Sequence, residues 1–186
     1  FLSGGTPTPS SSPTPSAPVG DFAPQRPNLL PASEFVVGRS IGKADAPVTP
    51  EVWTDYQCPY CKAFYTDAEP GLISKYVSTD KVRFVYHPFS FIGAESLAAA
   101  EAGYCAADQN KFWQFHNALF LVQARAGQAD TERVDVGRFS NDKLKGLGKE
   151  VGIPDQAKFE QCIDSGQHDE EVTNQMRRAR TLGING

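Results

Sequence analysis

Between Val48 and His87 a handful of residues dictates the order of elements. Val48–Thr54 contains Val48, Val52 and Trp53 and reads as a short strand; Pro50, with no N–H to give a ladder, has to sit at its start or at a bulge. Cys58-Pro59-Tyr60-Cys61 follows, and then a helix-compatible run from Lys62 to Glu69. Pro70-Gly71 interrupts the helix hydrogen bonds near Thr66, which predicts a kink or an end there, with Leu72–Val77 continuing the helix. Lys81–His87 alternates Val82, Phe84 and Tyr86 against Arg83, Val85 and His87, the period of a second strand. Strand, Cys-x-x-Cys, helix, strand is a βαβ unit, whose strands run parallel with a right-handed crossover.

The chemistry follows from where the helix starts. With Cys58 as N-cap, Pro59 takes the first helical position, where its fixed φ fits and its missing N–H costs nothing. The amides of Tyr60 and Cys61 then point at the Cys58 sulfur, at the positive end of the helix dipole. A sulfur held there is favoured as thiolate and becomes the attacking atom. Cys61, one turn further in, is the resolving thiol, so Cys58 and Cys61 are the candidate catalytic pair, with Pro59 and Tyr60 as their support. Other uses of a CxxC are a structural disulfide or half a zinc site. Zinc needs a second close ligand pair, whereas the remaining cysteines, Cys105 and Cys162, stand alone.

Trp53-Thr54-Asp55-Tyr56-Gln57-Cys58-Pro59-Tyr60-Cys61 resembles the active-site strand and helix start of the DsbA-like thiol-disulfide oxidoreductases of the thioredoxin superfamily. The resemblance continues through Phe89-Ser90-Phe91-Ile92-Gly93-Ala94-Glu95-Ser96, then Gln109-Asn110-Lys111-Phe112-Trp113-Gln114-Phe115-His116, and Thr181-Leu182-Gly183-Ile184, covering about Phe35 to Gly186. It implies an α/β thioredoxin fold with an α-helical insertion, an extracytoplasmic place in the bacterial cell envelope or periplasm, and disulfide exchange with exported proteins. It also implies reoxidation by a membrane quinone-linked partner. Two positions depart from the pattern. Relatives carry a cis proline and further strands after the Leu-Gly-Ile segment; none of Pro47, Pro50, Pro59, Pro70, Pro88 and Pro154 stands in that place, so the expectation is a chain that continues past Gly186. Where many relatives have a buried acid six residues before the first Cys, this chain has Val52, with Glu51 one place earlier.

The rest of the chain divides by composition. Residues 1–20 hold five Ser, three Thr, three Gly and five Pro and no charged side chain, too little apolar area to offset the entropy of ordering them. Residues 1–28 are therefore read as a disordered linker that could tether the domain to a membrane, with Phe1-Leu2 as the stub of a removed signal peptide or anchor helix or simply a boundary; residues 29–186 are read as the folded domain. Within it, a helical insertion spans about 93–182. Ala94–Asp108 has Ala98, Ala102 and Cys105 on one small-residue face; Phe112, Phe115, Leu119 and Val122 form a stripe on the next helix, with Trp113, His116 and Phe120 beside it. Ala124–Phe139 has no clear period and reads as a loop, and Asn141–Val151, Asp155–Ser165 and Asp169–Leu182 read as three more helices, with Asp155 as a cap. His116 and His87 are read as packing residues and His168 has no sequence context. An oxidising compartment leaves few thiols unpaired, so Cys105 and Cys162 are expected to form a second, structural disulfide rather than two separate buried thiols.

Charge removes other classes. With 22 acidic against 18 basic residues and a net charge of -4, and no basic run, phosphate-driven binding of nucleic acid is not supported. Apolar stretches such as Phe89–Ala94 fall far short of the roughly 18 residues of a membrane span. The expected activity is a protein dithiol-disulfide oxidoreductase, in the disulfide-forming direction, needing no metal or organic cofactor. A reductase or isomerase is the alternative, and a non-catalytic metal-binding or interaction module the remote one.

Overall fold

The computed structural model describes residues 36–125 and 133–186; the linker assigned to residues 1–28 lies outside the described residues. Four short strands, β1 (Val36–Val37), β2 (Ser40–Ile41), β3 (Glu51–Thr54) and β4 (Phe84–Pro88), form one sheet in the order β1-β2-β4-β3. β3 and β4 are parallel, with Val52 opposite Tyr86 and Trp53 opposite His87. β2 runs antiparallel to β4, Ser40 facing Val85. The β1–β2 hairpin had no sequence signal, because two-residue strands carry no period to count. β3 begins only after Pro50, which joins the ladder through its carbonyl, accepting from Val85 N–H at 3.1 Å, while Val48 accepts from Arg83 N–H at 3.0 Å. β4 is displaced toward Pro88 relative to the expected Lys81–His87.

The crossover helix does not break at Pro70. α1 (Pro59–Ala63) runs into a wide turn, Phe64–Ala68, then α2 (Glu69–Leu72), then a second wide turn, Ile73–Val77. In the first wide turn the Glu69 amide bonds the Phe64 carbonyl, five residues back. Pro70 has no N–H for Thr66 and its ring crowds that carbonyl; taking one extra residue into the turn relieves both, as π-bulges do.

Among the described residues five further helices follow: α3 (Ala94–Ala107), α4 (Phe112–Arg125), α5 (Asn141–Glu150), α6 (Gln156–Ser165) and α7 (Asp169–Thr181). α3 packs against α4, α5, α6 and α7, and a helix with four neighbours has room for little beyond alanine; Ala99, Ala100, Ala102 and Ala106 are all buried. The main core joins Tyr65, Phe115, Leu119, Phe120, Phe139, Leu144 and Phe159, each such side chain contributing roughly 2 kcal/mol by leaving water. A second cluster beneath the sheet joins Ile41, Ile73, Val77, Phe84, Tyr86 and Trp113. Asp155 caps α6 by accepting the Lys158 amide at 3.0 Å, and Gly166, at φ 61°, ends it in the left-handed region. α5 reaches α6 closely because Gly148 has no side chain: a Cβ there would stand 2.8 Å from Phe159 Cδ1. α7 is fastened to the sheet by Arg178, whose guanidinium bonds both Glu51 oxygens at 2.8 and 2.9 Å and lies 5.4 Å from the Trp53 ring centroid.

One contact between α3 and α7 is sensitive to pH. Burial, then the hydrogen bond and repulsion from Asp169, push the half-buried Glu101 carboxyl up to about 8. An acid whose pKa is raised by folding binds its proton more tightly in the folded chain, so its stabilising share is complete below its unfolded value and declines as pH rises toward 8. The urea midpoint should therefore fall between about pH 5 and pH 8, and Glu101→Gln should flatten that decline. An unaltered slope in the variant would remove Glu101 from the linkage.

Candidate active site

β3 delivers the chain to a tight loop, Asp55-Tyr56-Gln57, and the loop delivers Cys58 to the start of α1. The Cys58 amide bonds the Asp55 carbonyl at 3.1 Å, and Cys58 is the N-cap, at φ −74° and ψ 120°, with Pro59 in the first helical turn. Its Sγ accepts the Cys61 amide at 3.4 Å. Cys58 and Cys61 are both thiols in this structure, Cys58 7% exposed and Cys61 partly buried. The Cys61 thiol donates to the Cys58 sulfur, and this bond is the largest influence on both. With help from the Cys61 and Tyr60 amides, and against burial and the Asp55 carboxylate, it brings Cys58 down to about 6. The same bond, with burial, pushes Cys61 far above an ordinary thiol. One sulfur is thus prepared to carry charge and its neighbour to hold a proton. Pro59 and Tyr60 contribute through the backbone, and the Tyr60 ring stands 85% exposed at the same helix start.

Asp55 was not singled out from the sequence. Its buried carboxylate accepts from the Gln57 amide at 2.7 Å, the Ile92 amide at 3.0 Å and the Ser96 hydroxyl at 2.6 Å; burial raises its pKa and these bonds oppose the rise. The only local hint was its place three residues before Cys58, because two of its partners come from 37 and 41 residues away.

The three histidines lie elsewhere. His116 is buried among the rings of Tyr56, Tyr65, Phe112, Trp113 and Phe120, with the Tyr56 hydroxyl 2.9 Å from Nδ1. His87 stacks on Trp53 at 4.4 Å and meets Gln175 at 3.1 Å and Glu51 at 3.5 Å; burial lowers its pKa, with Glu51 opposing. His168, without context in the sequence, meets Asp108 across the fold at 3.0 Å and Glu171, three residues on, at 3.3 Å. Glu51 faces Arg178 and His87.

Cys105 of α3 and Cys162 of α6 are joined to each other, with Cα atoms 5.9 Å apart. A ring nitrogen of His168 lies within 4.8 Å of both sulfurs, but the sulfurs are bonded to one another, which leaves the imidazole as the sole available ligand of the three. No helix among the described residues is long and apolar enough to cross a membrane.

The chain matches the thioredoxin family model over residues 35–186. It is 31% identical over 152 residues to a probable disulfide bond formation protein D of Bacillus cereus, an alignment that takes in 80% of this chain and 66% of that protein. It is 38% identical over 85 residues to disulfide bond formation protein D of Bacillus subtilis, covering 45% of this chain and 38% of that protein. The chain therefore spans just under two thirds of the length of the Bacillus cereus relative. Among solved structures, oxidised BdbD from Bacillus subtilis superposes with a TM-score of 0.70 at 26% identity, over 84% of this chain and 80% of that one. The oxidised Mtb DsbA shares the fold, with a TM-score of 0.59 at 24% identity, over 80% of this chain and 78% of that one.

Proposed function

The chain belongs to the thioredoxin family, as a DsbA-like member, and from that premise we propose that it is a thiol-disulfide oxidoreductase that forms disulfides in exported proteins. The observation that carries the reading is the Cys58 sulfur, which takes the Cys61 thiol and two amides as donors. A stabilised Cys58 thiolate is a good leaving group and favours the reduced enzyme, and both effects make the Cys58–Cys61 disulfide an oxidant.

In this reaction a substrate thiolate attacks Sγ of Cys58, breaking the Cys58–Cys61 bond and leaving a mixed disulfide and a Cys61 thiolate, which takes up a proton. A second substrate thiolate attacks the substrate sulfur of that mixed disulfide and expels Cys58 as thiolate. Two electrons pass from substrate to enzyme, and the exchange itself involves sulfur and protons alone. The reading extends to residues 29–186 as the catalytic domain with residues 93–182 as its insertion, to residues 1–28 as a tether, and to an extracytoplasmic site where a membrane quinone-linked partner takes up the electrons. The protein names of the relatives, which refer to disulfide bond formation, support it. Equilibration of the pair with glutathione tests the direction. A potential above about −150 mV is expected for an oxidase, a value near about −180 mV assigns the chain to isomerisation, and a value near about −270 mV assigns it to reduction.

A further inference from the structure

Gln57, the residue before Cys58, is fully buried, and a buried amide persists only where its donors and acceptor are satisfied. Its backbone N–H reaches Asp55 Oδ1 at 2.7 Å, and its backbone carbonyl accepts from Gln123 Nε2 of α4 at 3.0 Å. Its side-chain Nε2 donates to Ser96 Oγ of α3 at 3.0 Å and to Asp135 Oδ1 at 3.0 Å, and its Oε1 accepts the Asp135 amide at 2.8 Å. Asp135 thus grips both ends of one amide from 78 residues away.

Asp135 also holds the start of α3, accepting from the Ala94 amide at 3.1 Å and the Glu95 amide at 2.9 Å. It does so at φ 51°, a left-handed conformation that Asp and Asn tolerate better than most residues. Gly93 makes the approach possible, since a Cβ there would press into the Asp135 carboxylate. Glu95 holds the other half of the same loop through the amides of Gly137 and Phe139.

We propose that Asp135 is a positioning residue for disulfide exchange: by clasping Gln57 it sets the turn that aims the Cys58 sulfur at the amides and thiol of the helix start. The proposal rests on the oxidoreductase reading and deepens it. Of the titratable groups around the turn, Asp55 and Cys61 face Cys58 directly, while Glu95 is turned to its own two amides.

Asp135→Ser removes the carboxylate's bond to Gln57 Nε2 while the backbone amide keeps its bond to Gln57 Oε1, and it leaves a short hydroxyl for capping α3. Asp135→Asn keeps Oδ1 for both Gln57 and Glu95. Thiolate absorbance against pH separates aim from charge, because removing a negative charge by itself lowers a nearby thiol pKa, whereas loss of aim raises it. The expected result is an upward shift of the Cys58 midpoint of about half a pH unit or more in Asp135→Ser, with slower oxidation of a reduced unfolded protein and with the midpoint restored in Asp135→Asn. A smaller or downward shift in folded Asp135→Ser overturns the proposal, as does an equal shift in Asp135→Asn. If Asp135→Ser shows no cooperative melting, Gln57→Met, which leaves Asp135 on its α3 amides, carries the same test with the same threshold. A wild type whose Cys58 titrates like a free thiol and exchanges nothing would sink the oxidoreductase reading itself; a low wild-type midpoint with an unmoved variant sinks only the positioning role.

Discussion

Cys58→Ser abolishes both the acidic thiol titration and turnover. The low midpoint belongs to Cys58 because its Sγ receives the Cys61 thiol and the amides of Cys61 and Tyr60, whereas Cys61 is pushed the other way by the same bond and by burial. Removing Cys58 leaves a lone thiol that ionises only well above neutrality, and with it goes the sulfur a substrate must attack. Cys61→Ser behaves differently: a serine hydroxyl still donates to the Cys58 sulfur, so an acidic titration persists, displaced by a fraction of the original shift. Offered a substrate disulfide, that variant accumulates a mixed disulfide: the Cys58 thiolate attacks one substrate sulfur and expels the other as thiolate, and no Cys61 thiol remains to displace the substrate from Cys58. An acidic titration surviving in Cys58→Ser, read at the thiolate absorbance, would show that the roles are exchanged.

The second large effect concerns stability. Cys105 and Cys162 close a loop of 57 residues between α3 and α6, and on the chain-entropy model such a closure is worth about 4 kcal/mol. Both positions are buried in the main core, so replacing the pair by alanine adds a small packing loss to the entropic one. The double variant Cys105→Ala with Cys162→Ala should lower the urea midpoint by about 2 M, at a slope of about 2 kcal/mol per molar, while the Cys58 titration stays where it is. A midpoint lowered by less than about 0.5 M would mean that the unfolded chain gains little freedom when the link is removed.

The active turn was legible because it is local. Cys58 as cap and Pro59 as first helical residue follow from four consecutive residues, and the parallel pairing of β3 with β4 follows from the helix between them. The helices of the second half were legible for a related reason: Phe112, Phe115 and Leu119, or Asp155 with Phe159, repeat at spacings that a 3.6-residue period explains. What escaped is the polar network, whose members lie far apart in the chain; the Cys105–Cys162 link, also between distant residues, was expected from the cysteine count alone. Asp55 and Gln57 stand in the active-site motif with no role legible in the sequence, yet they are buried, and their partners Ile92, Ser96, Gln123 and Asp135 come from three separate parts of the chain. His168 acquires Asp108 only when α6 packs against α3 and carries the histidine to the end of that helix. β1 and β2 are too short to show alternation; β4 offers an edge to β2, and β2 in turn to β1.

The two wide turns of the crossover helix set an angular phase. Tyr65, Glu69, Ile73 and Val77 are all buried and spaced by four. On a regular helix of 3.6 residues per turn such a row would swing by about 40° at each step, carrying Val77 well round the helix from Tyr65. Each extra residue taken into a turn winds the row back, so the buried stripe runs nearly straight while the helix start that holds Cys58 keeps its own heading. Deleting one residue from Phe64–Ala68 would remove the turn that accommodates Pro70, and would turn the cysteine pair by about 100° against everything the helix is packed upon.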